Sequence, residues 1–447
     1  MNTNATTSSI PAAAAAASGK SACATRALIV GVLGLLVGLF GLYHGFSTGD
    51  SRPVYGWLIG WAFWYSMFVG VLYLVIFTYI FDTGWAVVIR RQLEHMLGVF
   101  PVLVVCFVPL LLMALGVFNS LGSPDHPLVQ GMLWKWLDPA QAIPGGKVIA
   151  KDPLFIHKAA WLSLPFFLVR LGIYTLVFWA FARGFRNNSF KLDRDPNPKY
   201  FLRCRNLAGG GIYAVSLAAT FGAFDLFMSL SYQWYSTIYG VWFFSTSVCS
   251  GLAATVVLCY FLSAKPGRPL YGIYNRAHQY TLGCMLLAFV TFWAFASFSQ
   301  YLLTYMSDMP EETWWYNLRE LTATWQQSSW WWVSLGLIFG YFFLPFFALM
   351  PYQTKVRREW LLGVAIWILA FQLLDLYFNI LPSKLPDADP SSVMGYTIVG
   401  FMPSVWDLAT LIGVGGLCAW AFLRSQAKQE VIPLHDPRVE ESLKYHE

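Results

Sequence analysis

Trp57–Phe81 reads WLIGWAFWYSMFVGVLYLVIFTYIF, twenty-five residues without a charge. The hydrocarbon layer of a bilayer is about 30 Å thick, and a helix needs about 20 apolar residues to cross it. Backbone N–H and C=O groups in lipid must bond one another, so such a run crosses as a helix. The apolar/polar alternation of a barrel strand is absent. Working outward, nine further runs share this character: Arg26–Phe46, Met96–Phe118, Ala159–Arg183, Ala208–Leu230, Ile238–Ser263, Tyr280–Met306, Trp330–Met350, Trp360–Leu381 and Ile398–Leu423. They predict an all-α integral membrane protein with ten transmembrane helices. Residues 1–25 are Ala-rich and of low complexity, so they are expected to be a disordered tail. Residues 424–447 form a second tail. The first span is too long for a signal-peptide core, and His44-Gly45-Phe46 is no small-residue cleavage site, so it reads as an uncleaved helix.

The composition agrees. Of 447 residues 57% are hydrophobic and 12% charged, against roughly 25% charged in soluble domains. That excludes a soluble multidomain enzyme, a secreted disulfide scaffold and a nucleic-acid binder. The positive charge is sorted by loop. The N-terminal side carries 21 Lys and Arg, the opposite side 7, and Arg170 lies inside the fourth span. Lys and Arg mark cytoplasmic loops, so both termini are expected inside. Two long segments on the outer side, 119–158 and 307–329, hold Trp134, Trp136, Trp314, Trp315 and Trp325. These read as interfacial aromatic belts or as docking sites for partners outside the membrane. Asp82, Glu94, His95 and Glu359 at inner span ends read as solvated interfacial charges, with a proton entry as the alternative.

The seven His are His44, His95, His126, His157, His278, His435 and His446. None lies mid-span and no span carries two, which argues against a buried bis-His haem. The seven Cys include no Cys-x-x-Cys, which argues against iron–sulfur and c-type haem sites. A Walker phosphate loop is absent. Redox work by this chain would use a mobile organic carrier, with no haem, iron–sulfur cluster or metal of its own.

Ionisable residues inside spans are costly and usually functional. Four stand out: Arg170, Asp225, Asp375 and Asp407. On the ten-span topology the three Asp lie in the outer half, His44 ends span one on that side, and Arg170 lies near the middle. Helical spacing puts polar neighbours on their faces. Ser229 and Tyr232 follow Asp225; Gln372 and Asn379 flank Asp375; Ser404 and Thr410 flank Asp407; Ser163 and Tyr174 flank Arg170. Ser297, Gln300 and Thr304 form another stripe. These stripes are expected to point at one another. One cation cannot neutralise three anions, so the set reads as proton-transfer residues (Asp225, Asp375, Asp407, Arg170, His44). Gln300, Tyr174, Ser229, Gln372 and Thr410 would line a quinone pocket or a water wire. The bland alternatives are a structural Arg–Asp pair holding helices together and, for Asp225, a helix cap.

Several long stretches carry a family resemblance. They are Phe224-Asp225-Leu226-Phe227-Met228-Ser229-Leu230, Gln233 to Val241, Phe298 to Leu303 with Met309-Pro310-Glu311-Glu312-Thr313, Pro165 to Arg170, and Gly56-Trp57 with the Trp-rich span after it. From span one to span ten the chain resembles the NrfD-like, polysulfide-reductase-type membrane proteins. Among these it resembles the ActF-type subunits of alternative complex III, a bacterial quinol:cytochrome c oxidoreductase. The resemblance implies two four-helix bundles, spans 2–5 (54–230) and 6–9 (238–381), flanked by span 1 (26–47) and span 10 (398–423). It implies the bacterial inner membrane and quinol oxidation on the outer side, with menaquinone or ubiquinone as carrier. Electrons would go to iron–sulfur and multihaem cytochrome c subunits, beside a paralogous NrfD-like subunit. The chain would then be a subunit without cofactors of its own rather than an enzyme alone. In the paralogue, the ActC type, the site is associated with His and Asp on adjacent spans; this sequence has no mid-span His.

The sequence also admits two other readings. Pro101, Pro109, Pro165 and Pro345 interrupt spans three, four and eight, as in secondary transporters with broken helices. A scaffold that only anchors partner subunits would tolerate replacement of all four buried charges.

Overall fold

The computed structural model describes residues 20–122, 128–143, 147–322, 326–383 and 400–445. Ten of its helices are long and apolar enough to cross a membrane: Ala22–Thr48, Arg52–Ile80, Val87–Ala114, Leu164–Arg194, Pro198–Ser231, Tyr239–Ser263, Arg276–Ser307, Ser329–Leu349, Arg358–Ser383 and Val405–Lys428. They are spans 1 to 10 below. The centres fall where hydropathy places them, and the ends move. Spans 4 and 5 continue through polar sequence on the side of the termini. Span 4 is 31 residues, or about 46 Å at 1.5 Å per residue, so it outruns the hydrocarbon. Asn197 caps span 5 by accepting from the Lys199 N–H. Span 3 starts at Val87 rather than Met96, because Arg90, Arg91, Glu94 and His95 are helical and buried. Its helix tightens at Leu97–Val99 before Pro101. Helix also begins at Lys20, inside the tail expected to be disordered; residues 1–19 of that tail lie outside the described residues. Span 10 starts at Val405, with 400–404 non-helical and 398–399 outside the described residues.

Lipid gives apolar side chains no reason to prefer each other, so membrane helices associate through close packing at small residues. Spans 1 and 10 do this as an antiparallel pair. A Cβ on Gly34 would lie 2.7 Å from Gly413 Cα, and one on Gly416 would lie 2.5 Å from Gly31 N. Spans 2 and 6 meet as closely: a Cβ on Gly70 would lie 1.8 Å from the Ser247 carbonyl oxygen.

The connecting segments fold back onto the helices. Trp134 and Trp136 are buried against Phe167, and Trp315 stacks on Trp234 with ring centres 4.4 Å apart. These three are core residues, which corrects the belt expectation for them. Trp314 is partly buried, and Trp325 lies outside the described residues. The segment 128–151 adds one two-residue antiparallel pair, Ala142–Ile143 with Lys147–Val148.

On the opposite face the C-terminal segment is a clasp rather than a tail. Asp436 pairs with Arg90, Arg438 with Asp82, and the Tyr445 carbonyl accepts from Asn275 at the start of span 7. Beneath it Arg91 pairs with Asp193, and Glu94 accepts from Tyr79 (2.8 Å) and Ser189 (2.5 Å). Glu94 and His95 are therefore interior groups and not solvated charges, because these partners replace water. Glu359 is exposed and Asp82 half-buried, as expected of interfacial charges.

Candidate functional site

The three deep carboxylates do not form one cluster. They occupy three sites, and two of the three hold their own arginine. Asp225 stands one residue before the α-helical part of span 5 ends. Arg170 on span 4 reaches it with two bonds, Nε to Oδ2 at 2.7 Å and Nη2 to Oδ1 at 2.9 Å. Tyr174, one turn along, donates to Oδ2 at 2.8 Å, and the Trp161 indole donates to Oδ1 at 2.9 Å. The guanidinium also stacks on the Trp161 and Phe166 rings. Ser229 turns back to the Asp225 carbonyl oxygen at 2.6 Å. This constellation is the structural Arg–Asp pair.

Asp407 sits in the first turn of span 10, not ten residues inside it, because the helix starts only at Val405. It accepts from the Ser404 N–H at 2.8 Å in a capping box, which suits an anion at a helix N-terminus. Arg52, at the start of span 2, grips it with bonds of 2.6 and 2.5 Å, and Tyr377 on span 9 donates at 2.6 Å. Arg52 reads in the sequence as an ordinary loop charge; here it is the second counter-ion. Thr410 bonds back to the Trp406 carbonyl, and His44 is exposed with its ring beside Trp406. Neither is among the residues that bond the Asp407 carboxylate.

Asp375 is different. It is buried on span 9, and its four donors are neutral. Trp293 Nε1 (3.0 Å), Trp242 Nε1 (3.2 Å) and Thr246 Oγ1 (3.3 Å) reach Oδ2, and Asn379 Nδ2 (3.1 Å) reaches Oδ1. Among the described residues no cation pairs with it. Burying a carboxylate without a cation is unfavourable unless hydrogen bonds compensate, which explains two buried tryptophans with their N–H groups turned onto one oxygen. Gln372, expected on the same stripe, instead donates to Ser66 on span 2 at 2.7 Å.

Asp375 lines a cavity of about 570 Å³ walled by spans 6, 7, 8 and 9. Gln300, Asn379 and Ser297 supply its polar groups, with Trp242, Trp293 and Trp315 as aromatic walls. The rim residues Phe298, Ile338 and Phe343 are exposed, so it opens sideways between spans 7 and 8. Span 8 is π-helical over Leu337–Phe343, just before Pro345; single π segments concentrate at functional sites. The helix Pro310–Glu320 roofs the cavity through Trp315, Tyr316 and Glu320. Arg319 on its far side is fully buried and donates to three backbone carbonyls, Trp315 (2.7 Å), Phe378 (2.8 Å) and Asn379 (3.1 Å). Burial pulls this guanidinium well below its usual range, and the carbonyls at the end of span 9 offset part of that cost.

A second cavity, of about 720 Å³, lies among spans 2 to 5, with walls such as Trp61, Phe100 and Phe178. Tyr174 lines it, and Asp225 does not. Asp225 and Asp375 stand in matching sequence, Asp225-Leu226-Phe227-Met228-Ser229 and Asp375-Leu376-Tyr377-Phe378-Asn379. In each, the fifth residue bonds back to the Asp carbonyl oxygen. This short repeat is the signal in the sequence that sets the two sites side by side, one with an arginine and one without.

Compared with known proteins, the chain matches no family model and no curated relative.

Proposed function

We propose that the chain is a quinol- and proton-handling membrane subunit of a respiratory oxidoreductase, with its site in the cavity among spans 6 to 9. More narrowly, we place it with the ActF-type, NrfD-like subunits of bacterial alternative complex III that its motifs resemble. The observation that carries the reading is Asp375, a buried carboxylate with no cation, open to a cavity with amides and indoles. Protonating Asp225 or Asp407 would strand a guanidinium, and breaking a buried ion pair costs about 3–5 kcal/mol. Protonating Asp375 only rearranges neutral hydrogen bonds, each contributing about 1 kcal/mol. A quinol ring would lie between the indoles with its oxygens toward Asp375, Gln300 and Asn379. Its oxidation releases two protons and two electrons. Asp375 accepts one proton, and the electrons go singly to an iron–sulfur or haem centre of a partner subunit.

The 21-to-7 split of Lys and Arg supports termini inside and the cavity in the outer half of an inner membrane. Two four-helix bundles, spans 2–5 and 6–9, fit the two cavities. Asp375→Asn in the intact complex is expected to lower quinol:acceptor turnover on the order of 10²-fold, the usual weight of a positioned base. Full turnover in that variant would overturn the reading.

The π-helical stretch in span 8 beside a buried carboxylate favours a second reading, a secondary transporter. Solute flux by the reconstituted single chain, lost in Asp375→Asn, would decide for it.

A further inference from the structure

We propose that Glu320 on the roof helix is the second proton acceptor of the same cavity, handing the second quinol proton to the outer surface. The proposal rests on the quinol reading above. Glu320 and Asp375 both line the cavity, one on the roof and one on span 9 in the membrane-embedded wall. A quinol has two hydroxyl groups on opposite sides of its ring and must lose two protons, so a site with one carboxylate serves only half of the reaction. Glu320 is half-buried and accepts one bond, from Tyr305 Oη on span 7 at 2.9 Å. Among the described residues it has no cationic partner. Its neighbour Arg319 is turned away onto the carbonyls of span 9 and Trp315.

The titratable groups beside Glu320 are Tyr305 and Tyr301 from span 7 and Tyr316 from its own helix; Arg319 points away, and Asp375 lines the same cavity from span 9. Span 8 contributes Trp331 and Ser334, neither of which titrates. Burial raises the Glu320 carboxyl above its ordinary value, and the Tyr305 hydroxyl offsets only part of that rise. Half-buried on the roof of the cavity, it is placed to take a proton from the quinol on one side and to yield it to outside water on the other. The balance is one quinol to one quinone, one proton to Asp375, one to Glu320, and two electrons to a one-electron metal centre of a partner subunit.

The test uses the intact complex with decylubiquinol and menadiol in parallel. Saturable quenching of tryptophan fluorescence by the matching quinones reports binding, and turnover against pH reports the acceptors. Glu320→Gln is expected to keep binding and KM, lower kcat about tenfold or more, and change the acid limb of the pH profile to the part set by Asp375 alone. Glu320→Asp restores most of the rate. Tyr305→Phe removes the bond that favours the charged form, so the acid limb moves to higher pH. If Glu320→Gln turns over like wild type with an unchanged profile while Asp375→Asn is slow, the Glu320 proposal is overturned and the quinol reading stands. If wild type shows no saturable quenching and Asp375→Asn is fully active, the quinol reading itself falls. Should Glu320→Gln fail to assemble, Tyr305→Phe decides: an unmoved acid limb overturns the proposal.

Discussion

Asp225, Asp375 and Asp407 look alike in the sequence, each an acid in an apolar run. Their partners make them different in kind. Asp225 and Asp407 each have a bidentate arginine and a tyrosine, while Asp375 has indoles, a hydroxyl and an amide. Asp225→Asn is therefore expected to act on stability rather than chemistry. It leaves Arg170 buried and unpaired, a loss of about 3–5 kcal/mol, visible as a lower thermal midpoint in detergent. Exchanging both partners, Arg170→Leu with Asp225→Leu, should recover most of that loss. Asp375→Asn should leave the midpoint nearly unchanged and lower turnover on the order of 10²-fold. Of the polar residues singled out in the sequence, Asp375, Asn379, Gln300 and Ser297 reach the proposed site. Tyr174 and Ser229 belong to the Arg170 pair, Gln372 bridges to span 2, and Thr410 and His44 lie apart. The residues that sequence reasoning missed, Trp242, Trp293, Arg52, Arg319 and Glu320, sit in interfacial or aromatic contexts that composition treats as ordinary.

At the scale of elements, hydropathy locates helix centres because burial in lipid depends on composition along the run. It misplaces ends because caps and ion pairs decide them. Span 3 extends over Arg90, Arg91 and Glu94 since Asp436, Asp193, Tyr79 and Ser189 come to meet them. This gives the C-terminal clasp a measurable weight. Deleting residues 430–447 is expected to bare Arg90, Arg91 and His95 to water and to lower the thermal midpoint by several degrees, where a free tail would leave it unchanged. The pairing of spans 1 and 10 depends on bare backbones. Gly413→Leu places a side chain where Leu35 N is 2.7 Å from the Cβ, and should release span 1. Faster proteolysis at the 49–51 connection would report it, and unchanged proteolysis would refute it.

For the molecule as a whole, the charge asymmetry carries a prediction about orientation. A fluorescent protein that folds only in the cytoplasm should be bright when fused at the C-terminus. Cysteine placed at Asp308 should be labelled from outside by a membrane-impermeant maleimide. The reverse pattern would turn the proposed site inward and defeat outer-side quinol oxidation. The sequence by itself determined the class of molecule, the number of spans and the sorting of positive charge, since each is a property of composition along one strand of chain. Only the tertiary structure decided which buried acid lacks a cation. Arg52 and Asp407 are 355 residues apart, Arg170 and Asp225 are 55 apart, and no local pattern announces either pair. Coulomb attraction and desolvation depend on distance in space, so the odd carboxylate, Asp375, shows itself only when all the helices are in place.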